Sequence, residues 1–197
     1  MPRYSSHLLT LAVGLLLAGC QDGSTGPTWD SSAPLQATTS RSTMVPLTWT
    51  YHMVAAAGGV LTCTNSDGSP PSLAFPINWA VASGMMTHLG LLDTEASSAA
   101  FSTCVVNIAP EGYPISASGD ATVHLVGANG DAVDMAGVLT LSFADGSAAG
   151  DWTITGGTGR FTGAGGWIKT LEVPAADGNG SEGSGSGMIT PPGILKR

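Results

Sequence analysis

An all-β domain is what this sequence predicts, and three observations predict it. Charged residues make up only 10% of the chain, while glycine occurs 28 times among many Ser, Thr, Ala and Val, a composition suited to short strands and tight turns. Apolar and polar residues alternate with period two over a succession of short segments, the signature of half-buried strands. Turn chemistry stands between several of these segments, and no stretch carries capped apolar residues at i, i+3, i+4 and i+7, so almost no helix is expected beyond the leader.

The elements follow in order. Residues 1–20 read MPRYSSHLLTLAVGLLLAGC: Arg3 in a short polar start, an apolar run from Leu8 to Ala18, then Leu17-Ala18-Gly19-Cys20. This is a three-part secretory signal, with an apolar stretch well short of the roughly 20 residues that span a bilayer. Its last four residues resemble the bacterial lipobox, which implies a signal peptide over 1–19, a diacylglyceryl group on the Cys20 thiol and a further acyl chain on the new amino terminus. Several chains, at roughly 0.8 kcal/mol per buried methylene, hold a protein at a membrane without spanning it. Gln21 stands where an Asp would favour retention at the inner membrane, so the expected location is the outer membrane of the cell envelope. Removing 19 residues from 197 leaves 178, enough for one domain with a core.

From Gln21 to Met44 the chain is rich in Ser, Thr, Gly and Pro, as a flexible tether is; lipidated Cys20 and this linker are taken together as 20–46. Ordered structure is expected over 47–190. Leu47 to Val54 puts Leu47, Trp49, Tyr51 and Met53 on one face and Thr48, Thr50 and His52 on the other. Further strands are expected at Gly59 to Thr64, Ala74 to Val81, Met85 to Glu95, Ala99 to Val106, Ile115 to Val126, Ala132 to Phe143, Asp151 to Thr155, Trp167 to Val173 and Ser184 to Thr190. Asn129-Gly130 and Asp145-Gly146 read as two-residue hairpin turns, whose positions favour positive φ. The run from Ala175 to Gly187, AADGNGSEGSGSG, reads as a flexible loop before the last strand. Pro191-Pro192 ends that strand, and 191–197 is a loose tail. Short strands linked by hairpins make a sandwich or a closed barrel, and closure removes exposed edges.

Cys63 and Cys104 are the only cysteines besides Cys20. An even pair in an oxidising compartment is expected to form a disulfide, the alternative being two buried thiols acting as small apolar side chains. With the leader removed, five basic residues face 14 acidic ones, a net charge of −9. Such a surface repels phosphate backbones, and nucleic acid is excluded as an expected partner. No CxxC or His-x-His spacing supports a metal, no G-x-S-x-G supports a nucleophile, and no cofactor is expected.

The segment from Asp151 to Gly163, DWTITGGTGRFTG, looks at first like a nucleotide-binding turn. Gly157, Gly159 and Gly163 stand one residue too far apart for GxGxxG, and no GK[ST] follows. A strand, a glycine corner and another strand, with Ile154 and Phe161 in the core, fit it better. The run TITGGTGRFTGAGG resembles the GGTGxF signature of the dirigent and allene oxide cyclase-like barrels. Thr87-His88-Leu89-Gly90 and the hairpin at Ala128-Asn129-Gly130-Asp131 resemble further stretches of the bacterial members, so the resemblance spans 47–190. It implies a calycin-like antiparallel barrel of eight strands with a central cavity. Plant dirigent proteins guide radical coupling and the cyclases close an epoxide ring, but only the glycine corner is matched here, and no catalytic residue is carried over.

Candidate sites are few. His88, Asp93 and Glu95 fall along one expected strand, His88 facing away from both acids, which makes a shared metal site awkward. His124 shares a face with Thr122, either toward the lumen or on an exposed hairpin. Asp131 and Asp134 read as turn and surface acids. Trp49, Trp79, Trp152 and Trp167 either line an apolar pocket or fill the core. His88, His124 and Trp152 are the residues expected at a cavity. The expected function is that of a lipid-anchored envelope protein whose barrel is a binding or structural module, its partners the membrane and a small apolar ligand. The alternative is an isomerase or cyclase acting on a small apolar molecule in the cavity.

Overall fold

A computed structural model describes residues 43–190. The expected signal peptide, Cys20 with its tether up to residue 42, and the expected tail 191–197 lie outside the described residues. In chain order the strands are β1 (Val45–Ala55), β2 (Val60–Thr62), β3 (Thr64–Asn65), β4 (Ala74–Pro76), β5 (Asn78–Met86), β6 (Gly90–Leu91), β7 (Ser98–Phe101), β8 (Val105–Ile108), β9 (Pro114–Val126), β10 (Ala132–Ser142), β11 (Ala148–Thr158), β12 (Gly166–Pro174) and β13 (Ser181–Ile189). One 3-10 turn, Gly159–Phe161, is the helical element among the described residues.

Eight strands close into a ring. β1 pairs with β5, β5 with β7, β7 with β9, β9 with β10, β10 with β11, β11 with β12, β12 with β13 and β13 with β1, every pair antiparallel. The chain is therefore an antiparallel eight-stranded barrel, and the ring itself has no unpaired edge. Outside it, β8 pairs with β9, β3 adds to β8 in parallel, β6 pairs with β5, and β2 and β4 form a small sheet of their own.

The alternation in the sequence is what lets the ring fill itself. On β9, Ala117, Ala121, Val123 and Leu125 are buried, and Asp120, Thr122 and His124 between them are exposed. On β1, Leu47, Trp49, Tyr51 and Met53 are buried in the same way. At one end the interior is packed solid: Leu47, Met86, Leu125, Val133, Ile168 and Ile189 meet around Phe161, each of them 0 or 1% exposed. Burial of a side chain of this size contributes ~1.5–3 kcal/mol.

The glycine corner seats Phe161 there. Gly159 has φ 59°, and a Cβ on it would lie 1.8 Å from Asp131 Oδ1, so only glycine fits. Next to it Arg160 Nε donates to Asp131 Oδ2 at 2.5 Å and Nη2 donates to the His88 carbonyl at 3.3 Å. The three stretches that carry the sequence resemblance thus meet at the packed end of the barrel.

Several expectations need correction. Met85 to Glu95 is not one strand: β5 stops at Met86, and His88 sits in a turn at φ 70°. Asp93 Oδ1 then accepts from the Glu95 and Ala96 amides, turning the chain again. Ala99 to Val106 is broken between β7 and β8, where Thr103 crosses over Gly119 and its hydroxyl donates to Asp120 Oδ2 at 2.9 Å. Asn129-Gly130 is not a two-residue turn: only Gly130 has positive φ, and the Asn129 side-chain Nδ2 donates to Asp131 Oδ2 within a wider loop. Asp145-Gly146 is also wider, its Asp145 Oδ1 accepting from the Ser147 amide and hydroxyl. The flexible loop expected over 175–187 shrinks, because Ser181–Ile189 is a full barrel strand paired on both sides, by β1 and by β12. Ladder hydrogen bonds on both edges hold a Gly-Ser sequence that has little strand preference of its own.

Candidate functional site

Toward the other end, small side chains replace large ones on the inner face. Ala99, Ala117, Gly119, Ala121 and Ala148 line a cavity of about 220 Å3 together with Trp49, Trp79, Phe101, Leu139 and Trp152. Leu61 from β2, Phe75 from β4 and Cys104 complete its wall from outside the ring. Cys63 and Cys104 are joined in a disulfide across 41 residues, Cα to Cα 4.5 Å, which ties the β2–β3 segment to the start of β8. A cavity of ~150 Å3 lined by apolar side chains accommodates benzene. This one therefore has room for a single ring with a short chain.

One part of the wall is polar. Glu172 on β12 points inward and is 8% exposed. Its Oε1 accepts from the Tyr51 hydroxyl at 2.8 Å, and its Oε2 accepts from the Ser181 hydroxyl at 2.8 Å. Among the described residues no Lys, Arg or His pairs with this carboxylate. Burial first, and then the Glu172 carboxylate, push the Tyr51 phenol well above its ordinary value, so Tyr51 acts as a neutral donor.

The register explains how the pair meets. Tyr51 and Glu172 are both opposite Gly183, one on each side of it. A Cβ on Gly183 would lie 2.3 Å from Tyr51 Cζ, so the phenol reaches over that glycine to the acid. Trp49 stacks on the Tyr51 ring with centroids 3.9 Å apart. Trp152 Nε1 donates to Thr170 Oγ1 at 2.9 Å, whereas Trp49 Nε1 is buried without an acceptor among the described residues.

Of the residues expected at the cavity, Trp152 lines it and the two histidines do not. His124 is on the outer face of β9, its Nδ1 hydrogen-bonded to Asp134 Oδ1 at 2.6 Å, because Val123 and Leu125 take the inner positions beside it. His88 is held outside by its turn, its Nε2 3.1 Å from the Pro46 carbonyl. Trp49 and Trp79 line the cavity with Trp152, but Trp167 faces outward and is 47% exposed. Cys20 lies outside the described residues. No group of three His, Cys, Asp or Glu side chains that could hold a metal ion exists among the described residues. Sequence reasoning missed Glu172 and Ser181. The sequence carried no clear signal for Glu172: its strand face holds Ile168, but the opposite face holds Trp167, Leu171 and Val173.

No family model and no curated protein matches the sequence. Among solved structures, the chain is similar to the pterocarpan synthase dirigent protein GePTS1, at 15% identity over 79% of this chain and 88% of that chain, with a TM-score of 0.35. The barrel closure described above stands on its own hydrogen-bonded pairs.

Proposed function

We propose that the protein is a lipid-anchored component of the cell envelope whose barrel binds a small, largely apolar molecule. One observation carries the binding role: the interior at one end is not packed shut but leaves a cavity of about 220 Å3 with aromatic walls and, among the described residues, a single buried acid. A purely structural barrel has no use for such a space, since unfilled core volume destabilises, and concave apolar sites with a few convergent polar groups are the usual form of ligand pockets. The anchor is supported by Leu17-Ala18-Gly19-Cys20 and the polar tether that follows.

A second reading has its own observation. A carboxylate in the wall of an apolar cavity, oriented by a phenol at 2.8 Å, is a group able to take a proton from a bound molecule, as an isomerase or cyclase requires.

Iodobenzene tests the binding role, because it is of single-ring size and its heavy atom quenches tryptophan. Saturable quenching is expected, and Ala121→Leu, which fills the cavity, is expected to abolish it; quenching that rises linearly and equally in both proteins refutes the reading. For the anchor, Cys20→Ala is expected to abolish incorporation of labelled palmitate, and persistent labelling refutes it.

A further inference from the structure

We infer that the molecule held in this cavity is an amphiphilic amine, with an aryl or short alkyl body against the aromatic wall and one ammonium group on the Glu172 carboxylate. The inference rests on the binding role proposed above and adds the chemistry of the head group.

Glu172 is a buried acid whose partners in the structure are two hydroxyls, from Tyr51 and Ser181. A carboxylate offers about four acceptor positions, so these donors leave it able to accept more. Neutral donors also leave its charge uncompensated, and a buried charge is stable only when paired. The described barrel supplies no cation for it: Lys169 is engaged with Asp151 on the exposed face of the sheet, and Arg160 with Asp131 at the packed end. An ammonium group on the ligand supplies what the protein lacks.

The surrounding wall favours the same chemistry. Trp49, Trp79, Trp152, Phe75 and Phe101 line the cavity together with Glu172, and aromatic faces attract a cation where they offer a neutral head nothing comparable. Size restricts where the head can sit. With room for one ring and a short chain, a charged group entering the cavity meets Glu172, the one acid among the described residues of its wall. A ligand carrying a carboxylate is repelled by the same residue.

Four compounds with one carbon skeleton separate the possibilities: 3-phenylpropylamine, 3-phenylpropan-1-ol, propylbenzene and 3-phenylpropanoate, titrated calorimetrically into the full chain. The amine is expected to bind at least tenfold more tightly than propylbenzene and the alcohol, with the carboxylate weakest. Glu172→Gln is expected to reduce the amine's advantage over propylbenzene to within twofold. Tyr51→Phe, which keeps the carboxylate, is expected to keep the preference. If propylbenzene equals the amine in the unmodified protein, or if Glu172→Gln keeps the preference, the head-group assignment is overturned and the apolar binding role stands. If none of the four binds saturably, both are overturned. Should Glu172→Gln fail to fold, the ranking in the unmodified protein decides.

Discussion

The Tyr51 hydroxyl donates to Glu172 Oε1 at 2.8 Å across the backbone of Gly183, joining two residues 121 positions apart in the chain. This bond links β1 to β12 over the strand between them, while the Ser181 hydroxyl holds the other carboxylate oxygen. A hydrogen bond to a charged acceptor contributes roughly 1.5–3 kcal/mol, so Tyr51→Phe is expected to lower the free energy of unfolding by about that much in urea titrations.

The same residue gives the barrel an alkaline limit. Burial and the Glu172 carboxylate raise the folded-state pKa of Tyr51 above its ordinary 10.0. Above that pH the unfolded chain releases the phenol proton before the folded chain does, so stability is whole below about pH 10 and falls as pH rises further. Tyr51→Phe should flatten this decline. An equally steep alkaline decline in the variant would assign it to other groups.

Gly183 is where the sheet has no room for a side chain. Its alanine variant would place a methyl 2.3 Å from Tyr51 Cζ, and overpacking of this kind costs roughly 1–3 kcal/mol. In a Tyr51→Ala background the same change should be nearly neutral. A double-mutant cycle measures the difference, and additive losses would contradict a direct clash.

The Cys63–Cys104 bond closes a separation of 41 residues. On the chain-entropy model, replacing both cysteines by alanine should lower stability by about 4 kcal/mol. Because Cys104 lines the cavity, iodobenzene affinity should fall as well, measured below the variant's own unfolding midpoint. Unchanged affinity would show that the cavity keeps its shape without the tie.

At the packed end, the hydrogen bond from Arg160 holds the Asp131 carboxyl below the ordinary carboxylate range. Its stabilising effect is present above the unfolded value of 3.8 and is lost as pH falls through the depressed folded one. Asp131→Asn should therefore lower the midpoint of thermal unfolding at neutral pH and weaken its dependence on acid. A midpoint unchanged at neutral pH would mean that the corner holds without the pair.

Much of the barrel was legible because its strands alternate cleanly. Leu47, Trp49, Tyr51 and Met53 read as one buried face from the sequence alone, and β1 buries them. β9 keeps the same alternation, whereas β10 does not: Ala132 and Val133 are both buried and Val138 is exposed. His124, taken with Thr122 alone, was not legible as lumen or surface; Asp120 shares that face too, and the burial of Val123 and Leu125 opposite makes it the outer one. The Gly-Ser run of β13 was not legible either, since its strand pairing comes from its neighbours and not from its own side chains.

What the sequence by itself determined is the β period, the positions of the glycine corners and the buried identity of most of β1 and β9, all of them local properties of spacing and side-chain size. The tertiary structure alone decided that Glu172 faces inward. In Trp167-Ile-Lys-Thr-Leu-Glu-Val173, apolar residues occupy both faces, and Trp167, Leu171 and Val173 are the ones left exposed. Ring closure sets the register of β12 against β13 and β11, placing Ile168 in the packed end. With side chains alternating at every residue, Thr170 and Glu172 must then follow Ile168 into the interior.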